Sequence, residues 1–371
     1  MKIVYISKSI IPSRTANSIH VMKMCQAFAD NGHEVILLAP NLKHLYEKEV
    51  DDIYEFYGVK KNFFIKKLLH PNFKIGPFFY TLAIFFYLLM NKKFNLVYGR
   101  FLHGCFIATL LKKEVIFEIH TPIYEKKNHK LKVFKKLIRN KYFRKLVVIS
   151  HALKNMYLEN GYLSESKIQV AHDGADEIID FETKINLLGN KNNLKIGYVG
   201  HLYKGRGIEL IIDCAKQIKD MTFHIVGGLK EDIEYWENYS KNLNVLNIFF
   251  YGFVFPKKVG AYKNSFDIVL APYKNKVSVF GKSGDSSKFM SPLKIFEYMS
   301  CKKAIIASDL PVLREVLSPK SASLVEPENV NEWVKAINKL RKQENREQLA
   351  TNAFKDFKNY TWKTRALQVL N

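Results

Sequence analysis

Short apolar runs alternate with amphipathic segments along the first half of the chain. The run Lys2–Ser7 predicts a buried strand, and the polar loop Lys8–Ser18 separates it from a helix predicted near Ile19–Asn31. That helix is indicated by apolar residues at helical spacing, namely Val21, Met24, Cys25 and Phe28. Further strands are predicted at Glu34–Ala39, Asn95–Tyr98, Val115–Ile119 and Leu146–Ile149. Strands that alternate with helices predict a parallel sheet with right-handed crossovers.

The same alternation starts again after residue 190. A predicted strand at Leu194–Val199 leads into the glycine-bearing loop Gly200–Gly207 and then into a predicted helix at Ile208–Ile218. Later strands are predicted at Thr222–Val226, Val245–Tyr251, Ile268–Ala271 and Ala304–Ala307. The polar stretch Asp176–Asn193 between the halves predicts a linker, and Asn359–Asn371 predicts a docked terminal helix.

The length of 371 residues is too great for one ordinary core and suits two domains. We therefore predict an α/β fold of two facing Rossmann-like domains, residues 1–180 and residues 181–355, with a central cleft. Residues 356–371 are predicted to form a helix that packs back toward the first domain. Open parallel sheets bind ligands at the carboxyl ends of their strands, so a site is expected in the loops that follow strands.

The charge of the chain is strongly positive. Lys and Arg total 58 against 35 Asp and Glu, which gives a net charge of +23 and a pI near 9.6. Such a charge predicts an anionic partner: nucleic acid, a phospholipid surface or a phosphate-bearing substrate. No motif for DNA or RNA recognition is found, so we expect no nucleic-acid partner. A composition of 47% hydrophobic and 25% charged residues excludes a disordered or fibrous chain.

The cysteines are widely spaced and show no Cys-x-x-Cys pattern. They are Cys25, Cys105, Cys214 and Cys301. This spacing predicts reduced thiols in a cytosolic protein, without a zinc site or a disulfide framework. Met1 and Lys2 lead straight into the first strand, so no secretory signal is expected.

Two stretches suggest contact with a membrane surface, and each has a plainer alternative. Gly76–Met90 is the most apolar run, but its 15 residues fall short of the ~20 that span a bilayer. It is either a core helix or a partly exposed helix that dips into a membrane surface. Lys126–Lys145 holds ten Lys or Arg and no acid, which predicts a basic amphipathic helix. That helix is either a solvated face or a contact with anionic lipid or nucleic acid.

Two strand-to-helix loops carry candidate chemistry for an anionic ligand. In Gly200–Gly207 the glycines let the backbone approach a ligand, while Arg206 adds positive charge. Ser291 is predicted as the N-cap and Pro292 as the first residue of a second such helix. Glu297, inside that helix, can accept hydrogen bonds from sugar hydroxyls beside a phosphate. The plainer alternatives are a tight turn with solvent-facing cations and an ordinary exposed helix acid.

These motifs, in this order, resemble the retaining nucleotide-sugar glycosyltransferases of family 4, which have the GT-B fold. The resemblance covers nearly the whole chain, and its specificity lies in the co-linear order of the motifs. The matching segments are His33-Glu34-Val35, Val148-Ile149-Ser150, Ala171–Asp176, Gly197–Gly207, Ser291–Met299 and the stretch from Ala307 to Glu315.

The resemblance implies roles for matching residues of the second domain. Arg206 would bind the donor diphosphate with help from Lys204, and Glu297 would bind the donor ribose. His201 stands where many family members have Arg, and Phe289 stands in place of the first of two paired glutamates. The remaining donor-binding positions are Gly205, Gly207, Gly227, Phe253, Val254, Ser291, Pro292, Leu293 and Lys294.

In the first domain, the resemblance places His120 over the transferred sugar. Arg100, in a loop that follows a strand, is a further candidate on the acceptor side. Pro12–Ser18 stands where many members have a double glycine that touches donor and acceptor. Its candidate contact residues are Ser13, Arg14, Ala16 and Asn17. The catalytic set that the resemblance implies is His120, Arg206 and Glu297.

The resemblance implies transfer of a sugar from a UDP- or GDP-sugar to a hydroxyl of a glycan or lipid-linked acceptor, with retention at the anomeric carbon. It implies no metal and no cofactor, because cations and helix amides would stabilise the departing diphosphate. We expect a cytoplasmic bacterial enzyme, peripheral on the inner face of the membrane, in capsule or lipopolysaccharide synthesis. Two alternatives stay open: a nucleotide-sugar epimerase of the same fold, and a non-catalytic basic protein that binds membrane surfaces.

Overall fold

The computed structural model describes residues 1–43, 47, 50–123, 129–178, 180–279 and 282–371. They form two compact units. The first consists of Met1–Asp173 and Trp362–Asn371, and the second consists of Gly174–Thr361. The chain therefore changes unit after residues 173 and 361, whereas the sequence predicts changes after residues 180 and 355.

The first unit is built on a parallel sheet. Its strands are β1 (Lys2–Ile6), β2 (Glu34–Pro40), β3 (Phe64–Leu68), β4 (Leu96–Gly99), β5 (Val115–Ile119), β6 (Phe143–Val148) and β7 (Ile168–Val170). They lie in the order β3-β2-β1-β4-β5-β6-β7. The helices are α1 (Ala16–Asp30), α2 (Ile53–Tyr57), α3 (Gly76–Met90), α4 (Leu102–Leu110), α5 (His129–Ile138) and α6 (His151–Glu159). Residues 3–6 of the central strand β1 are all buried, as expected of a parallel strand that is covered on both faces.

The second unit repeats this architecture. Its parallel strands are β8 (Lys195–Val199), β9 (Thr222–Val226), β10 (Ile248–Phe250), β11 (Ile268–Ala271), β14 (Ala304–Ser308) and β15 (Ser323–Val325), and β12 (Ser278–Val279) and β13 (Lys282–Asp285) form a small antiparallel pair. The main sheet has the order β10-β9-β8-β11-β14-β15. The helices are α7 (Ile208–Gln217), α8 (Lys230–Asn242), α9 (Pro256–Asn264), α10 (Leu293–Ser300), α11 (Val330–Lys339) and α12 (Gln343–Phe357).

The last helix, α13 (Trp362–Leu370), belongs to the first unit although it follows the second in sequence. It packs against α1. The residues that it buries are Trp362, Arg365, Ala366 and Val369. The burial of an arginine among them shows that this helix brings a charge into the first unit.

Helix α3 coincides with the apolar run that the sequence analysis singled out. Tyr80, Ile84 and Leu88 recur every four residues and are buried in the first unit. The opposite face of the helix is exposed and carries Phe78, Leu82, Phe86, Leu89 and Met90. The helix is therefore a core element on one face and an apolar surface on the other. None of the described helices is both long enough and apolar enough to cross a membrane.

The prediction of one basic helix over Lys126–Lys145 is wrong. Residues 126–128 lie outside the described part of the chain, α5 ends at Ile138, and β6 begins at Phe143. The reason is that Phe143 and Lys145, at the end of the stretch, pair with β5, and the apolar residues that follow them continue β6 between β5 and β7. The basic residues of the described part, 129–145, are therefore divided between a helix, a turn and a strand.

The predicted linker Asp176–Asn193 is fastened to the second unit. The side-chain amide of Asn264 donates hydrogen bonds to the carbonyl oxygens of Asp180 and Thr183. The Ser265 hydroxyl accepts a hydrogen bond of 2.9 Å from the backbone N–H of Ile185. The described residues of this segment form no helix or strand and are hydrogen-bonded to the second unit.

Candidate functional site

The loop between β8 and α7 is shaped by glycines that pack against a neighbouring segment. Gly207 has a φ of +72° and is the N-cap of α7. A Cβ atom there would collide with the carbonyl oxygen of Pro272, and one on Gly205 would collide with that of Lys276. The Gly205 carbonyl oxygen also accepts a hydrogen bond of 3.1 Å from the Lys274 N–H. The two glycines therefore hold the loop against the segment that follows β11.

Two cations of the second unit meet at one aromatic ring. The Arg206 guanidinium carbon lies 5.0 Å from the centre of the Tyr203 ring and 5.3 Å from that of Tyr273. The Lys294 ammonium nitrogen lies 3.7 Å from the centre of the Tyr198 ring and 5.2 Å from that of Tyr273. Within the described residues neither cation pairs with a carboxylate, and the buried Nε of Arg206 has no hydrogen-bond partner. Such a pair of cations attracts an anion.

The electrostatic state of Lys294 supports this interpretation. Burial lowers the pKa of its ammonium group well below the ordinary value, and the Arg206 charge lowers it further. The Glu297 carboxylate acts in the opposite direction. A bound anion would stabilise the charged form of Lys294 in the same way.

Helix α10 begins one residue later than the sequence predicts. Pro292 is its N-cap and Leu293 its first residue, whereas the sequence predicts Ser291 and Pro292 for these positions. The reason is that Pro292 has an extended backbone, with a ψ of 123°. The first N–H groups of a helix have no partner within it, so those of Leu293 and Lys294 can be offered to an anion.

Glu297 lies in the second turn of α10 with 31% of its side chain exposed. Its Oε2 accepts a hydrogen bond of 3.2 Å from the ammonium group of Lys263, a buried residue of α9. Burial would lower the pKa of Lys263, but the charge and hydrogen bond of Glu297, together with the nearby Cys301 and Asp176, outweigh it and the pKa is raised. Lys263 therefore fixes one carboxylate oxygen, while the other retains its capacity to accept from a hydroxyl.

The backbone at Gly200 lies beside Lys294, and Gly227 packs against Gly200. A Cβ atom on Gly200 would lie 3.1 Å from Nζ of Lys294, and one on Gly227 would collide with the carbonyl oxygen of Gly200. The Gly227 N–H donates a hydrogen bond of 2.7 Å to the carbonyl oxygen of Gly252. This bond places the next two residues, Phe253–Val254, near the carboxyl ends of β8 and β9.

Two other predicted donor positions, His201 and Lys204, and the departure from the family motif at Phe289 have different surroundings. The His201 ring stacks on that of Tyr203, with ring centroids 5.2 Å apart. The Lys204 side chain is exposed. Phe289 is 5% exposed, so a buried ring occupies the position of the first glutamate of the family motif.

His120 of the first unit lies in a buried cluster of acids and bases at the ends of β5 and β7. Its Nε2 lies 2.5 Å from Oε1 of Glu118, which precedes it by two residues. The same oxygen lies 2.8 Å from Nε2 of His20, and Nδ1 of His20 lies 2.8 Å from Oδ1 of Asp173. Arg365, on α13, donates to Oε1 of Glu118 through Nη2 at 3.0 Å.

Burial and close partners set the charges in this cluster. Burial alone would raise the pKa of Glu118, but the charges of Arg365 and His20 hold it well below its ordinary value. Burial lowers the pKa of His120 to about 4, and the charge of Arg100 acts in the same direction. At neutral pH the cluster therefore contains a neutral His120 beside an ionised Glu118.

Within the first unit, the loop Pro12–Ser18 is tied down. The Tyr57 hydroxyl accepts a hydrogen bond of 2.7 Å from the Ser13 N–H and donates one of 2.9 Å to the Ser13 carbonyl oxygen. The Arg14 guanidinium pairs with the buried carboxylate of Glu47. These contacts give Ser13 and Arg14 structural partners inside the unit.

The remaining acceptor-side candidates differ in their surroundings. Ala16 is the first residue of α1, and the Asn17 side-chain amide donates a hydrogen bond of 2.5 Å to the Ser9 hydroxyl. Arg100 follows β4, and its Nη1 is buried with no hydrogen-bond partner among the described residues. Since its charge lowers the pKa of His120, Arg100 lies close enough to act on the same site.

Several residues of both sites were not predicted from the sequence. In the second unit they are Tyr198, Lys263 and Tyr273, and in the first they are His20, Glu118, Asp173 and Arg365. Glu118 had a usable signal, because an acid inside an apolar strand is unusual and residues two apart share a face of the sheet. Arg365 and His20 had none, because they come from segments far apart in sequence.

Two family models match this chain, one in the first unit and its boundary and the other in the second unit. The family model described as Glycosyltransferase Family 4 matches residues 18–177, and the model described as Glycosyl transferases group 1 matches residues 193–343. An uncharacterized glycosyltransferase of Methanocaldococcus jannaschii is 29% identical over 365 residues, which cover 86% of this chain and 89% of that protein. TuaH of Bacillus subtilis, provisionally named as a teichuronic acid biosynthesis glycosyltransferase, is 24% identical over 157 residues, 42% of this chain and 36% of its own.

Solved structures extend the likeness to the whole chain. HepE of Anabaena, crystallised with UDP and with UDP-glucose, matches with a TM-score of 0.71 and 16% identity. The match covers 100% of this chain and 98% of HepE. The predicted α/β fold of two Rossmann-like domains is thereby confirmed as that of GT-B glycosyltransferases.

Proposed function

The chain is a glycosyltransferase with the GT-B fold, and from this premise we propose that it moves a sugar from a nucleotide diphosphate sugar to a hydroxyl of a glycan or lipid-linked acceptor. One observation carries the proposal: Arg206 and Lys294, which have no carboxylate partner among the described residues, share the Tyr273 ring beside the amino end of α10. A diphosphate fits this arrangement, since it brings two negative charges and several acceptor oxygens.

The neighbouring groups suit the rest of a nucleotide. Glu297 presents a carboxylate held by Lys263, which suits the hydroxyls of a ribose next to the diphosphate. HepE was crystallised with UDP-glucose, which favours a UDP-sugar donor for this chain as well. We keep a GDP-sugar as the other candidate donor. We expect the base to contact the backbone at Phe253–Val254, and the identity of the side chains there does not indicate which base is bound.

The proposed chemistry is stabilisation of a departing diphosphate. Negative charge grows on the diphosphate as its bond to the sugar breaks, and preorganised cations and helix N–H groups lower the energy of that state. Arg206, Lys294 and the first turn of α10 supply these groups, so the proposal assigns no role to a metal or cofactor. We infer retention from the family resemblance, through attack on the same face of the sugar with help from the departing phosphate.

Binding of UDP tests the site directly. We expect UDP to raise the melting temperature of the wild-type protein, and Arg206→Ala to abolish that rise, because it removes the cation. Transfer from the best donor of a nucleotide-sugar panel should fall at least ~100-fold in Arg206→Ala and in Glu297→Ala. Arg341→Ala is the matched control, since this exposed arginine of the same unit pairs with Asp220.

Two results would contradict the proposal. Arg206→Ala that keeps both the UDP response and normal turnover would remove the site assignment. Consumption of donor at the same rate with and without acceptor, with release of an isomerised nucleotide sugar, would indicate an epimerase instead.

We further propose that the acceptor is reached at an anionic membrane surface, where the protein is peripheral on the cytoplasmic face. The exposed face of α3 supports this, because Phe78 and Phe86 are 61% and 56% exposed and lie two turns apart. The exposed lysines Lys74 and Lys92 flank the helix at its two ends. Apolar side chains between cations are typical of helices that lie in a lipid interface.

The charge pattern around α3 supports an anionic rather than a neutral lipid. Residues 56–113 contain ten Lys or Arg and no Asp or Glu. Helix α4 packs against both α3 and the basic helix α5, so the cationic elements are neighbours within the first unit. Together with the name of TuaH, this surface supports a role in cell-surface polysaccharide synthesis in a bacterium.

A further inference from the structure

The C-terminal helix α13 contributes an arginine to the cluster around His120. We propose that Arg365 and Glu118 are positioning residues for His120: Arg365 keeps the Glu118 carboxylate ionised, and that carboxylate holds His120 as the neutral ring whose proton is on Nε2. The consequence for sugar transfer rests on the proposed function, whereas the protonation pattern does not.

The Glu118 carboxyl group is ionised because Arg365 offsets the effect of burial. This residue is 1% exposed, and burial by itself favours the neutral acid. Arg365 opposes burial with a two-pronged contact, Nη2 at 3.0 Å from Oε1 and Nη1 at 3.4 Å from Oε2. The Tyr98 hydroxyl also donates to Oε2. Arg365 is itself fixed by the carbonyl oxygens of Ala171 and His172, at 3.2 and 2.8 Å.

The ionised Glu118 in turn places the proton of the neutral His120 ring on Nε2. An ionised carboxylate only accepts hydrogen bonds, so the hydrogen between Glu118 and Nε2, 2.5 Å apart, belongs to the histidine. Burial and the nearby Arg100 disfavour a second proton, and the pKa of His120 is lowered to about 4. Nδ1 then keeps its lone pair and can accept a hydrogen bond from a sugar hydroxyl.

The charged groups that face His120 come from five segments. They are Arg100 after β4, Glu118 on β5, His20 on α1, Asp173 after β7 and Arg365 on α13. The His20 ring lies edge-on, 4.8 Å from the His120 ring, and each of its nitrogens is 2.8 Å from a carboxylate oxygen. His20 and Arg365 thus place basic side chains next to the two acids of the cluster, Glu118 and Asp173.

The same cluster also has the spacing of a metal site. Donor atoms of His20, His120 and Asp173 lie within 4.8 Å of one another. One feature favours protons over a metal ion: the Arg365 guanidinium adds positive charge beside the Glu118 carboxylate that faces both His20 and His120. Metal binding is therefore the alternative that the experiment has to exclude.

Nitrogen NMR of the full-length protein, labelled with ¹⁵N-histidine, reports the ring protonation directly. We expect the His120 signals, assigned with His120→Gln, to be those of the neutral Nε2–H ring from pH 8 to pH 5. Arg365→Met and Glu118→Gln should each add signals of the Nδ1–H ring, because the buried carboxyl group without Arg365 can take up a proton, and the Gln amide has an NH2 group that can donate to Nε2. Lys363→Met, which removes an exposed cation from the same helix, should leave the spectrum unchanged.

Kinetics with UDP-glucose, or with the best donor of the panel, provides a second measurement. Both variants should lower kcat at least ~10-fold and change the donor KM little, since the diphosphate site is untouched.

Each other outcome has a definite meaning. An unchanged His120 spectrum in Glu118→Gln, which keeps the size of the side chain, overturns the proposal even if Arg365→Met fails to fold. One equivalent of Zn²⁺ that shifts the His20 and His120 signals of the wild-type protein overturns it in favour of a metal site. If the spectra are as expected but no nucleotide sugar is turned over, the proposed function fails and the positioning role stands.

Discussion

His224 is a buried histidine in the sheet of the second unit, apart from the candidate site. Its ring stacks on that of Phe249, and its nitrogens lie 3.0 Å from the Tyr251 hydroxyl and 2.9 Å from the Thr222 hydroxyl. Burial and the charge of Lys195 lower its pKa from 6.5 to about 4. The unfolded chain therefore binds more protons between these two values, and the unfolding free energy falls as the pH falls through this window.

Replacement of His224 tests this account. Between pH 7 and pH 5 the wild-type protein should lose about 2 kcal/mol of unfolding free energy that His224→Gln does not lose. Urea titrations followed by tryptophan fluorescence measure the difference, with Trp236 and Trp333 reporting from this unit. His151→Gln, at an exposed histidine, should lose as much as the wild type. An equal loss in all three proteins would assign the acid sensitivity to other groups.

A single residue of the site could be predicted from the sequence only where the residues that define its position are close to it in sequence. Arg206 and Glu297 were identified from motifs that a strand-to-helix loop and a helix start define on their own. Lys263, which holds Glu297, lies on another helix, and its pairing depends on how α9 and α10 pack. Arg365 meets Glu118 across 247 positions of sequence, so no local pattern could indicate the pair.

Gly207 determines how α7 begins, and its replacement by alanine should lower the free energy of unfolding. Gly207→Ala should destabilise the second unit in two ways, through a positive φ and through the collision of Cβ with the Pro272 carbonyl oxygen. Gly252→Ala is the matched control, because Gly252 has a φ of +67° but no atom within 4 Å of a Cβ. We expect the control to cost about 1–2 kcal/mol and Gly207→Ala roughly 1–3 kcal/mol more.

Urea denaturation of the two alanine variants measures this difference. Equal losses would show that the backbone conformation alone requires glycine at position 207, and that the loop moves to admit a methyl group. A larger loss in Gly207→Ala would support the close packing of the loop against the segment after β11.

The central strands were predictable because parallel strands covered on both faces are continuously apolar. Val115–Ile119, Thr222–Val226 and Ile268–Ala271 have the predicted bounds. The edge strands β3, β7 and β15 were not predicted, since an edge strand needs burial on fewer sides and Phe64–Leu68 carries two lysines. The strand predicted at Val245–Tyr251 shortens to β10, which is also at an edge.

The net charge of +23 is not spread evenly along the chain. The stretch 56–113, which includes α3, contains ten of the 58 basic residues and no acid, and only Lys60 and Lys61 among its described ion pairs meet carboxylates, those of Asp30 and Asp52. Exposed large apolar residues are concentrated in the same place. Of the 16 in the described part of the chain, nine lie between residues 64 and 90. Charge and apolar surface coincide, which is the combination that binds an anionic lipid interface.

Vesicle binding tests whether both parts of this surface act together. Vesicles with anionic lipid should retain the protein at low salt and release part of it as salt rises, because the Debye length falls from about 10 Å at 0.1 M to about 3 Å at 1 M. Phe78→Ser with Phe86→Ser should lower the partition coefficient at least ~10-fold, since each ring buries apolar area in the lipid. The control pair is Leu188→Ser with Leu246→Ser, at residues 58% and 81% exposed in the second unit. Retention of the control pair at the wild-type level would localise the contact to α3, whereas equal retention on neutral vesicles would contradict the electrostatic part.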